Sequence, residues 1–528
     1  MHKKEANMAV SEEPLTYDEA INSSDSQKWK KAMDDEYNSL MSNKTWRLEE
    51  LPQGRKPIQC KWVYKIKRRA DGTVERYKAR LVAKGYSQRA GIDYSETFSP
   101  VVRLETVRIL LAIVAKDNLE MVHFDVKTAF LYGTISEQIY MVQPEGYEKE
   151  EGKCCRLQRS LYGLKQAPRA WHECFTNFLK KFDLVPLKKD PCVFRKRDED
   201  KGTLIVAIYV DDGLVCCDDK SLMWEVIGYL RNKFEITVMD MECFVGMQIK
   251  RNRKERTLQV SQSGYVQRML EKFDMDTSAG SPTPADANMK LSKSGALDGQ
   301  SHPTISVPYR EVIGSIMYAQ VGTRPDIAFV TNYLARFSEE PKLVHWKAAK
   351  RVLKYLKETQ ELCLNFRGNA QEGLECYVDS DFASDPDTRK SVSGYVIRMC
   401  GAPVIWRSTK QTKVAASTTE AEFVAASLAS RDILWVRQLL RELGKEVIEP
   451  TTMWIDNQGA IKLIEDGQFH ARTKHIDIDY MLVKDTHELG EVKASYIRGE
   501  KQLADILTKP LPRDRFQSLR NDLGISSA

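Results

Sequence analysis

The stretch Leu204–Cys217, LIVAIYVDDGLVCC, decides the fold of the first half of the chain. Seven apolar residues rich in Ile and Val are followed by Asp-Asp-Gly and then by four more apolar residues. Two short apolar runs around a turn predict a β-hairpin, with strands over Leu204–Val210 and Leu214–Cys217. This hairpin would carry Asp211 and Asp212 at its tip.

A second predicted strand, Met121–Phe124, precedes this hairpin and is ended by Asp125. If the strands are neighbours in one sheet, the three carboxylates meet at one edge and repel one another unless a cation lies among them. Oxygen ligands favour Mg²⁺ or Mn²⁺, and two such ions about 3.5–4 Å apart can activate a hydroxyl and stabilise a leaving group. Taken alone, Asp-Asp-Gly is also an ordinary turn sequence.

Composition excludes several classes of protein. The chain has 528 residues, of which 42% are hydrophobic and 29% charged, so it can bury several cores and is not a disordered chain. It contains no apolar run long enough to span a membrane and no apolar N-terminal signal. Eleven cysteines without a C-x-x-C spacing indicate reduced thiols, so we expect an intracellular protein.

The segment Arg55–Ala90 is strongly basic, with twelve Lys or Arg residues against two acids. Aromatic residues alternate with the cations, and Asp71-Gly72 is a natural hairpin turn. The pattern is typical of a hairpin that grips phosphates and stacks bases, although a solvated charged face remains the alternative. The aromatic residues are Trp62, Tyr64, Tyr77 and Tyr86.

Other patterns outline the rest of the chain. We predict a helix over Tyr17–Met41 and a buried helix over Thr106–Ala115. Residues Thr277–Ser306, rich in Ser, Gly, Pro, Asp and Asn, predict a linker. Beyond residue 374, three antiparallel strands followed by helix, strand, helix, strand and helix predict a small α/β domain with a mixed sheet.

This C-terminal domain contains a second candidate set of acids, Asp379, Glu420, Asp456 and Asp505. Three of them are predicted at strand or helix ends, where side chains can meet over one sheet edge. Each has a local alternative. Ser417–Glu420 fits a capping box, Asp456 is a plausible helix N-cap, and Asp379 and Asp505 suit a loop and a helix surface.

The surrounding phrases resemble the Pol polyprotein of copia-type LTR retrotransposons. Tyr209–Asp212 (YVDD) resembles the reverse transcriptase box, and Phe124–Phe130 (FDVKTAF) resembles the first catalytic motif of these enzymes. Other matching phrases are Tyr77–Gly85, Tyr140–Tyr147, Ser160–Trp171, Tyr309–Tyr318, Thr323–Ile327, Ala349–Tyr355, Ser417–Phe423 and Gln502–Leu511. The resemblance covers Glu13 to Leu511. Asp240–Gly246 (DMECFVG) departs from the family phrase that supports the primer end.

The resemblance implies a multidomain fold of the α+β and α/β classes. A right-hand polymerase with fingers, palm and thumb would be followed by a connection and an RNase H-like mixed-sheet domain. The expected divisions are a disordered N-terminus 1–15, reverse transcriptase 16–275, a linker or long loop 276–306, a helical connection 307–373, an RNase H-like domain 374–512 and a C-terminal tail 513–528.

The resemblance also implies RNA-directed DNA polymerase and RNase H activities, with two Mg²⁺ or Mn²⁺ ions per site. The implied catalytic and metal-binding residues are Asp125, Asp211, Asp212, Asp379, Glu420, Asp456 and Asp505. The implied substrate contacts are Lys65, Lys78, Arg80, Tyr162, Gln166, Lys410, Lys413 and His475, the last with a structural role as the alternative. Phe130 matches the aromatic gate that excludes ribonucleotides, and core packing is its alternative.

Expected partners are an RNA template, a DNA primer, an RNA–DNA hybrid, dNTPs and other Gag and Pol products, with no membrane and no indicated oligomeric state. Family members imply a cytoplasmic virus-like particle, with the nucleus as a second location. The chain lacks an Asp-Ser/Thr-Gly triplet and a His/Cys cluster, so we expect the C-terminal portion of a longer polyprotein or a truncated copy. The alternatives are an inert remnant that binds nucleic acid, an RNase H-only enzyme and a DNA-templated polymerase.

Overall fold

A computed structural model describes residues 13–68, 73–198, 202–294, 303–371, 373–465 and 481–527. The α-helices of this part of the chain, α1–α13, are Tyr17–Asn22, Ser26–Ser42, Leu104–Asp117, Ala167–Leu179, Lys220–Arg231, Ser263–Lys272, Tyr309–Gly322, Ala328–Ala335, Leu343–Glu358, Thr418–Glu442, Gln458–Glu465, Leu482–Glu488 and Arg513–Asp522. The β-strands, β1–β21, are Trp46–Glu50, Cys60–Arg68, Val74–Ala83, Glu120–Val126, Tyr140–Met141, Lys153–Leu157, Val185–Pro186, Val193–Asp198, Gly202–Tyr209, Asp212–Cys217, Ile236–Met239, Cys243–Phe244, Met247–Asn252, Thr257–Ser261, Leu362–Arg367, Glu375–Asp381, Val392–Met399, Ala402–Lys410, Thr451–Ile455, Val492–Tyr496 and Ile525–Ser527. None of the helices in these ranges combines the length and apolarity that crossing a bilayer requires.

The central sheet of the first half contains six strands in the order β11-β4-β10-β9-β8-β7, and all neighbours are antiparallel. Strands β9 and β10 form the hairpin predicted from Leu204–Cys217. Its loop is tighter than predicted, because β9 ends at Tyr209 and β10 already begins at Asp212. Strand β4, which carries Asp125, pairs directly with β10.

Helix α3 is the buried helix predicted from the run Thr106–Ala115, and every residue of that run is buried. A helix that is covered on all sides must have neighbours on all sides. Helix α3 contacts β14, β15 and β18, so strands of two different sheets help to cover it.

The predicted basic hairpin is formed by β2 and β3, which pair antiparallel. Its predicted turn, Asp71-Gly72, lies outside the described residues. Lys65 lies opposite Lys78, and Val63 lies opposite Arg80, so the two strands present cations on the same face. Helix α2 packs against β3 and supports this hairpin.

The prediction of one helix over Tyr17–Met41 is wrong, because the chain breaks between α1 and α2. Ser23 is extended (φ −75°, ψ 163°), and its hydroxyl donates to the Ala20 carbonyl at 2.9 Å. Short polar side chains that bond to nearby backbone groups compete with the helix, and Asn22–Asp25 is a run of such residues.

The C-terminal sheet has the strand order β18-β17-β16-β19-β20. The pairs β16–β17 and β17–β18 are antiparallel, whereas β16–β19 and β19–β20 are parallel. This is the mixed sheet predicted from the sequence. The long helix α10 packs on β16 and β17.

A third sheet, in the order β12-β13-β14-β15-β21, joins strands from three of the predicted divisions. Strand β14 lies before the predicted linker, β15 lies after it, and the two pair directly. The predicted C-terminal tail instead forms α13 and β21, and β21 pairs with β15. The predicted linker is also partly packed, since Ser281, Thr283 and Ala285 are buried.

A buried ion pair stabilises the helices that lie between these sheets. Arg324 contacts both carboxylate oxygens of Asp326, at 3.0 and 2.8 Å, and the Tyr355 hydroxyl donates to Asp326 Oδ2 at 2.5 Å. The side chains of the ion pair are 2% and 0% exposed. Removing one partner of such a pair leaves an uncompensated charge in the interior.

We therefore expect Asp326→Asn to lower the free energy of unfolding by about 3–5 kcal/mol. Tyr355→Phe, which removes the hydroxyl that donates to Asp326 and accepts from Arg520, should cost less, about 1.5–3 kcal/mol. Urea unfolding followed by circular dichroism measures both values. Equal midpoints for Asp326→Asn and the wild-type chain would contradict this assignment.

Candidate active sites

The first candidate site lies where β4 ends and β10 begins. Asp212 is the direct partner of Asp125 in the β4–β10 pair, and Asp211 lies one residue earlier in the hairpin loop. Directly opposed residues of an antiparallel pair have Cβ atoms about 4.5–5.5 Å apart. The Val126 amide donates to the Asp211 carbonyl at 2.9 Å and ties the loop to the end of β4. The structure therefore brings these three predicted acids together.

The hairpin loop at this site has an unusual backbone conformation. Val210 has a φ of +58°, which is strained for a β-branched residue. The Trp171 indole donates to the Val210 carbonyl at 2.6 Å. Strained backbone persists where surrounding contacts hold it, and it concentrates at functional sites.

Electrostatics around Asp211 indicate a site that needs positive charge. Burial raises the pKa of Asp211, and the nearby Asp212 and Asp125 carboxylates raise it further. His123, which sequence analysis did not single out, contacts Asp212 through Nε2 at 3.2 Å. Its position two residues before Asp125 on one strand was a signal, because such residues share a face.

Three further predicted residues form a contiguous layer beside these acids. The Arg80 guanidinium lies over the Tyr162 ring, 4.7 Å from its centre. The Phe130 ring packs edge-on against Tyr162, with ring centres 4.6 Å apart. The positive charge of Arg80 also acts on Asp211 and opposes the rise of its pKa. Phe130 is 9% exposed, so it is part of the core and also borders the site.

The other predicted substrate contacts in the N-terminal half are Lys65, Lys78 and Gln166, and their surroundings differ. Lys65 forms an exposed ion pair with Glu13 at 3.0 Å, while Lys78 is partly buried and has a pKa lowered by burial and by Arg80. Gln166 is 4% exposed. Its amide accepts from Gln88 and donates to a backbone carbonyl, so the structure makes it a support of the neighbouring loop rather than an open contact.

The second candidate site lies at the C-terminal sheet and is more compact. Asp379 on β16, Glu422 on α10 and Asp456 after β19 place ligand oxygens within 4.8 Å of one another. In the described part of the chain, no other three side chains of Asp, Glu, His or Cys bring their ligand atoms within 4.8 Å of one another. Because these ligand oxygens already lie so close together, a single cation can contact all three side chains.

The prediction of Glu420 in this set is wrong, and Glu422 takes its place. The Glu420 amide donates to Ser417 Oγ at 3.1 Å, and the Glu420 carboxylate accepts from the Ala416 amide at 2.7 Å. Glu420 therefore belongs to the helix cap, which was its alternative interpretation. Glu422, two residues later, lies on a different face of α10.

Asp505 is connected to Asp379 of this cluster by the ammonium group of Lys509. It lies on a 3₁₀-helix, Leu503–Leu507, and is 1% exposed. The Lys509 ammonium is 2.7 Å from Asp505 and 3.4 Å from Asp379, and Arg515 also contacts Asp505. Burial, together with the Asp379 charge, raises the pKa of Asp505 to about 7.

Two observations show that the compact cluster fits a hard cation. Glu422 Oε2 is buried and has no hydrogen-bond partner, whereas Oε1 accepts from the Ser380 amide at 3.1 Å. Burial and the Asp379 and Asp456 charges raise the pKa of Glu422, and burial and Asp379 raise that of Asp456. Carboxylate oxygens are the ligands that Mg²⁺ and Mn²⁺ prefer.

The other predicted substrate contacts in the C-terminal half are Lys410, Lys413 and His475. Lys410 is 3.3 Å from Asp385, which also pairs with Arg336, so its charge is already engaged in the protein. Lys413 is exposed before α10. His475 lies outside the described residues.

Together, the fold and the acids define a class of protein: a right-hand polymerase, with the basic hairpin as fingers and the central sheet as palm, joined to an RNase H-like domain. Residues 43–287 match the family described as "Reverse transcriptase (RNA-dependent DNA polymerase)". The chain belongs to the copia-type Pol polyproteins of LTR retrotransposons.

Relatives from plants and yeast show the extent of the similarity. The chain is 40% identical to the Pol polyprotein of transposon TNT 1-94 from Nicotiana tabacum, over 98% of this chain and 39% of the relative. It is 35% identical to that of transposon RE1 from Arabidopsis thaliana, over 98% of this chain and 35% of the relative. It is 31% identical to a Ty5-1 transposon protein of Saccharomyces cerevisiae, over 57% of this chain and 98% of the relative.

The chain thus spans well under half the length of the two plant relatives. Among solved structures, a foamy viral protease-reverse transcriptase in complex with double-stranded DNA is similar, with a TM-score of 0.47 and 12% identity. The similarity covers 89% of this chain and 70% of that one.

Proposed function

We propose that this chain is an RNA-directed DNA polymerase whose C-terminal unit cleaves the RNA strand of RNA–DNA hybrids. The observation that carries the polymerase assignment is the register that sets Asp125 opposite Asp212, beside Asp211, in a member of this family. We assign residues 16–275 to the polymerase, 307–373 to the connection and 374–512 to the nuclease.

At the polymerase site, Asp125, Asp211 and Asp212 would hold two Mg²⁺ or Mn²⁺ ions. Bound ions of this kind activate the primer hydroxyl and stabilise the leaving pyrophosphate. Arg80 acts on Asp211, and Lys78 lies two residues earlier on the same face of β3; both would neutralise the charge of a dNTP triphosphate. The Tyr162 ring, held between Arg80 and Phe130, would form the floor beneath the incoming nucleotide.

Phe130 gives a specific prediction about sugar selection. Its ring borders the site and leaves little room for a 2′-hydroxyl in our assignment, so Phe130→Val should raise incorporation of ribonucleotides relative to deoxyribonucleotides by about tenfold to a hundredfold. Paired single-nucleotide incorporation rates with rNTP and dNTP measure this ratio. Phe182→Val, at an aromatic residue that stacks on Tyr229, serves as the control. An unchanged ratio in Phe130→Val would leave Phe130 as core packing only.

At the nuclease site, Asp379, Glu422 and Asp456 would hold the ions that activate water for attack on the RNA backbone. Lys509 and Arg515 keep Asp505 in place at the edge of this cluster. The 2′-hydroxyls and the groove shape of the hybrid would identify the RNA strand. Other Gag and Pol products remain expected partners, and a cytoplasmic particle remains the expected location.

Primer extension tests the proposed function. The purified chain is given a DNA primer on an RNA template with dNTPs, in Mg²⁺ and separately in Mn²⁺, and on the matching DNA template. We expect metal-dependent DNA synthesis on RNA. Binding of primer–template without incorporation in either metal would support the alternative of an inert nucleic-acid-binding remnant, and synthesis only on DNA would support a DNA-templated polymerase.

A further inference from the structure

A groove begins beside the nuclease acids and leads away from them over the predicted linker. Its first part is a cavity of about 790 Å³ lined by Asp381, two residues after Asp379 on β16, and by Pro510, which follows Lys509. The segment Asn288–Lys290 forms part of its wall.

The groove continues along helix α9. A second cavity of about 770 Å³ shares Asn288–Lys290 with the first, so the two adjoin. Five basic residues and one acid, Asp286, line this second part. The basic residues are Lys290, Lys347, Lys350, Arg351 and Lys354. Lys347, Lys350 and Lys354 of α9 recur at intervals of three and four residues, which places them on one face of the helix.

The wall opposite α9 is fixed in position. Arg351 donates to Thr283 Oγ1 at 3.0 Å and lies 3.6 Å from the Asp286 carboxylate. The Ser281 amide donates to the Lys354 carbonyl at 3.3 Å. The Tyr333 hydroxyl donates to the Leu291 carbonyl at 2.8 Å. The segment 281–291 is therefore built onto the helices and forms a stable side of the groove.

The charges in this groove are available to a ligand. Asp286 is engaged by Arg351, while Lys290, Lys347, Lys350 and Lys354 make no ion pair with a carboxylate in the described part of the chain. Val352 and Leu353 of α9 are fully buried, whereas Lys347 and Lys350 are exposed, so this stretch of the helix offers charge to the groove. Such a surface suits a polyanion.

We propose that the α9 groove, defined by Lys290, Lys347, Lys350, Arg351 and Lys354, binds the phosphate backbone of the RNA–DNA hybrid whose RNA strand is cut at Asp379, Glu422 and Asp456. The proposal rests on the proposed nuclease function. The first cavity borders strand β16, which carries Asp379, so a duplex bound at the acids can extend along it. A row of cations next to that path neutralises phosphates and releases counterions from the duplex.

The test uses the full chain with Lys347→Gln, Lys350→Gln and Lys354→Gln combined. Binding of a long RNA–DNA hybrid is measured in EDTA over a series of NaCl concentrations. Each lost phosphate contact should lower the magnitude of the slope of log K against log salt by about 0.7–0.9. For three lost contacts we expect this magnitude to fall by about 2–3 and the affinity to fall at least tenfold at low salt. The matched control combines Lys220→Gln, Lys254→Gln and Lys493→Gln, which line neither cavity.

A second variant with arginine at the same three positions should retain the wild-type slope and shows that α9 still folds. Equal slopes for the glutamine variant and the control would overturn the proposal. The proposal would also be overturned if the glutamine substitutions weakened the binding of polyglutamate more than the binding of the hybrid. Because this assay contains no metal, it is independent of turnover. A chain that neither synthesises DNA nor cuts RNA, yet shows the slope difference, would remove the proposed function and keep the polyanion groove.

Discussion

Asp211→Asn is expected to abolish DNA synthesis, lowering the rate of single-nucleotide incorporation by about a thousandfold or more. Asn has nearly the shape of Asp but lacks the negative charge that a divalent cation requires. In the structure, Asp211 is partly buried and its charge already interacts with Asp125 and Asp212. Rapid-quench measurement of one dNTP addition gives this rate directly.

Two controls make this result specific. Asp276→Asn removes an exposed carboxylate outside the three-acid set and should leave synthesis unchanged. Cleavage of a preformed RNA–DNA hybrid by Asp211→Asn should stay within about twofold of the wild-type rate, because the nuclease acids are a separate cluster. Synthesis by Asp211→Asn at a wild-type rate would show that the β4–β10 acids do not form the polymerase site.

Glu422→Gln is the second prediction with a large effect, and it should eliminate cleavage of the RNA strand, with a loss of about a thousandfold or more. Glu422 Oε2 is buried without a hydrogen-bond partner and lies in the cluster with Asp379 and Asp456. A neutral amide there removes one charge from the set that would hold the ions. The cleavage rate of a labelled RNA strand in a hybrid measures the loss.

Glu420→Gln provides a control with the same chemical change two residues away on the same helix. Glu420 accepts a hydrogen bond from the Ala416 amide, and glutamine can still accept it, so we expect cleavage close to wild type. If Glu420→Gln removed cleavage and Glu422→Gln did not, the capping-box assignment would be wrong and the sequence-based choice of Glu420 would be right.

The meeting of Asp125 with Asp211 and Asp212 was predictable because its signals are local. An apolar run, a turn and a second apolar run define the β9–β10 hairpin, and strand β4 carries Asp125 one residue before its end. Once β4 and β10 lie side by side in one sheet, their pairing brings these acids together. His123 could also have been found from the alternation of side chains along β4.

The choice between Glu420 and Glu422 was not predictable from local pattern. Both glutamates begin the same helix, and Ser417–Glu420 matches the capping box. What separates them is which face of α10 rests on β16, and this depends on packing between segments far apart in the chain.

Strand pairing across the predicted boundaries was not predictable for a related reason. A stretch rich in Ser, Gly and Pro predicts a linker, yet β14 and β15 on its two sides pair in one sheet. The final segment adds β21 to that sheet. Composition describes a segment by itself, whereas these pairings join residues more than a hundred positions apart, such as Leu364 and Ile525.

The central claim is that one chain carries two separate carboxylate centres with different reactions. One reaction tests it most directly: an RNA template and a DNA primer with different labels are incubated with dNTPs and Mg²⁺, and both strands are read in the same lane. We expect the wild-type chain to extend the primer and cut the RNA, Asp211→Asn only to cut a supplied hybrid, and Glu422→Gln only to extend. Loss of both activities in either folded variant, or retention of both, would contradict the account.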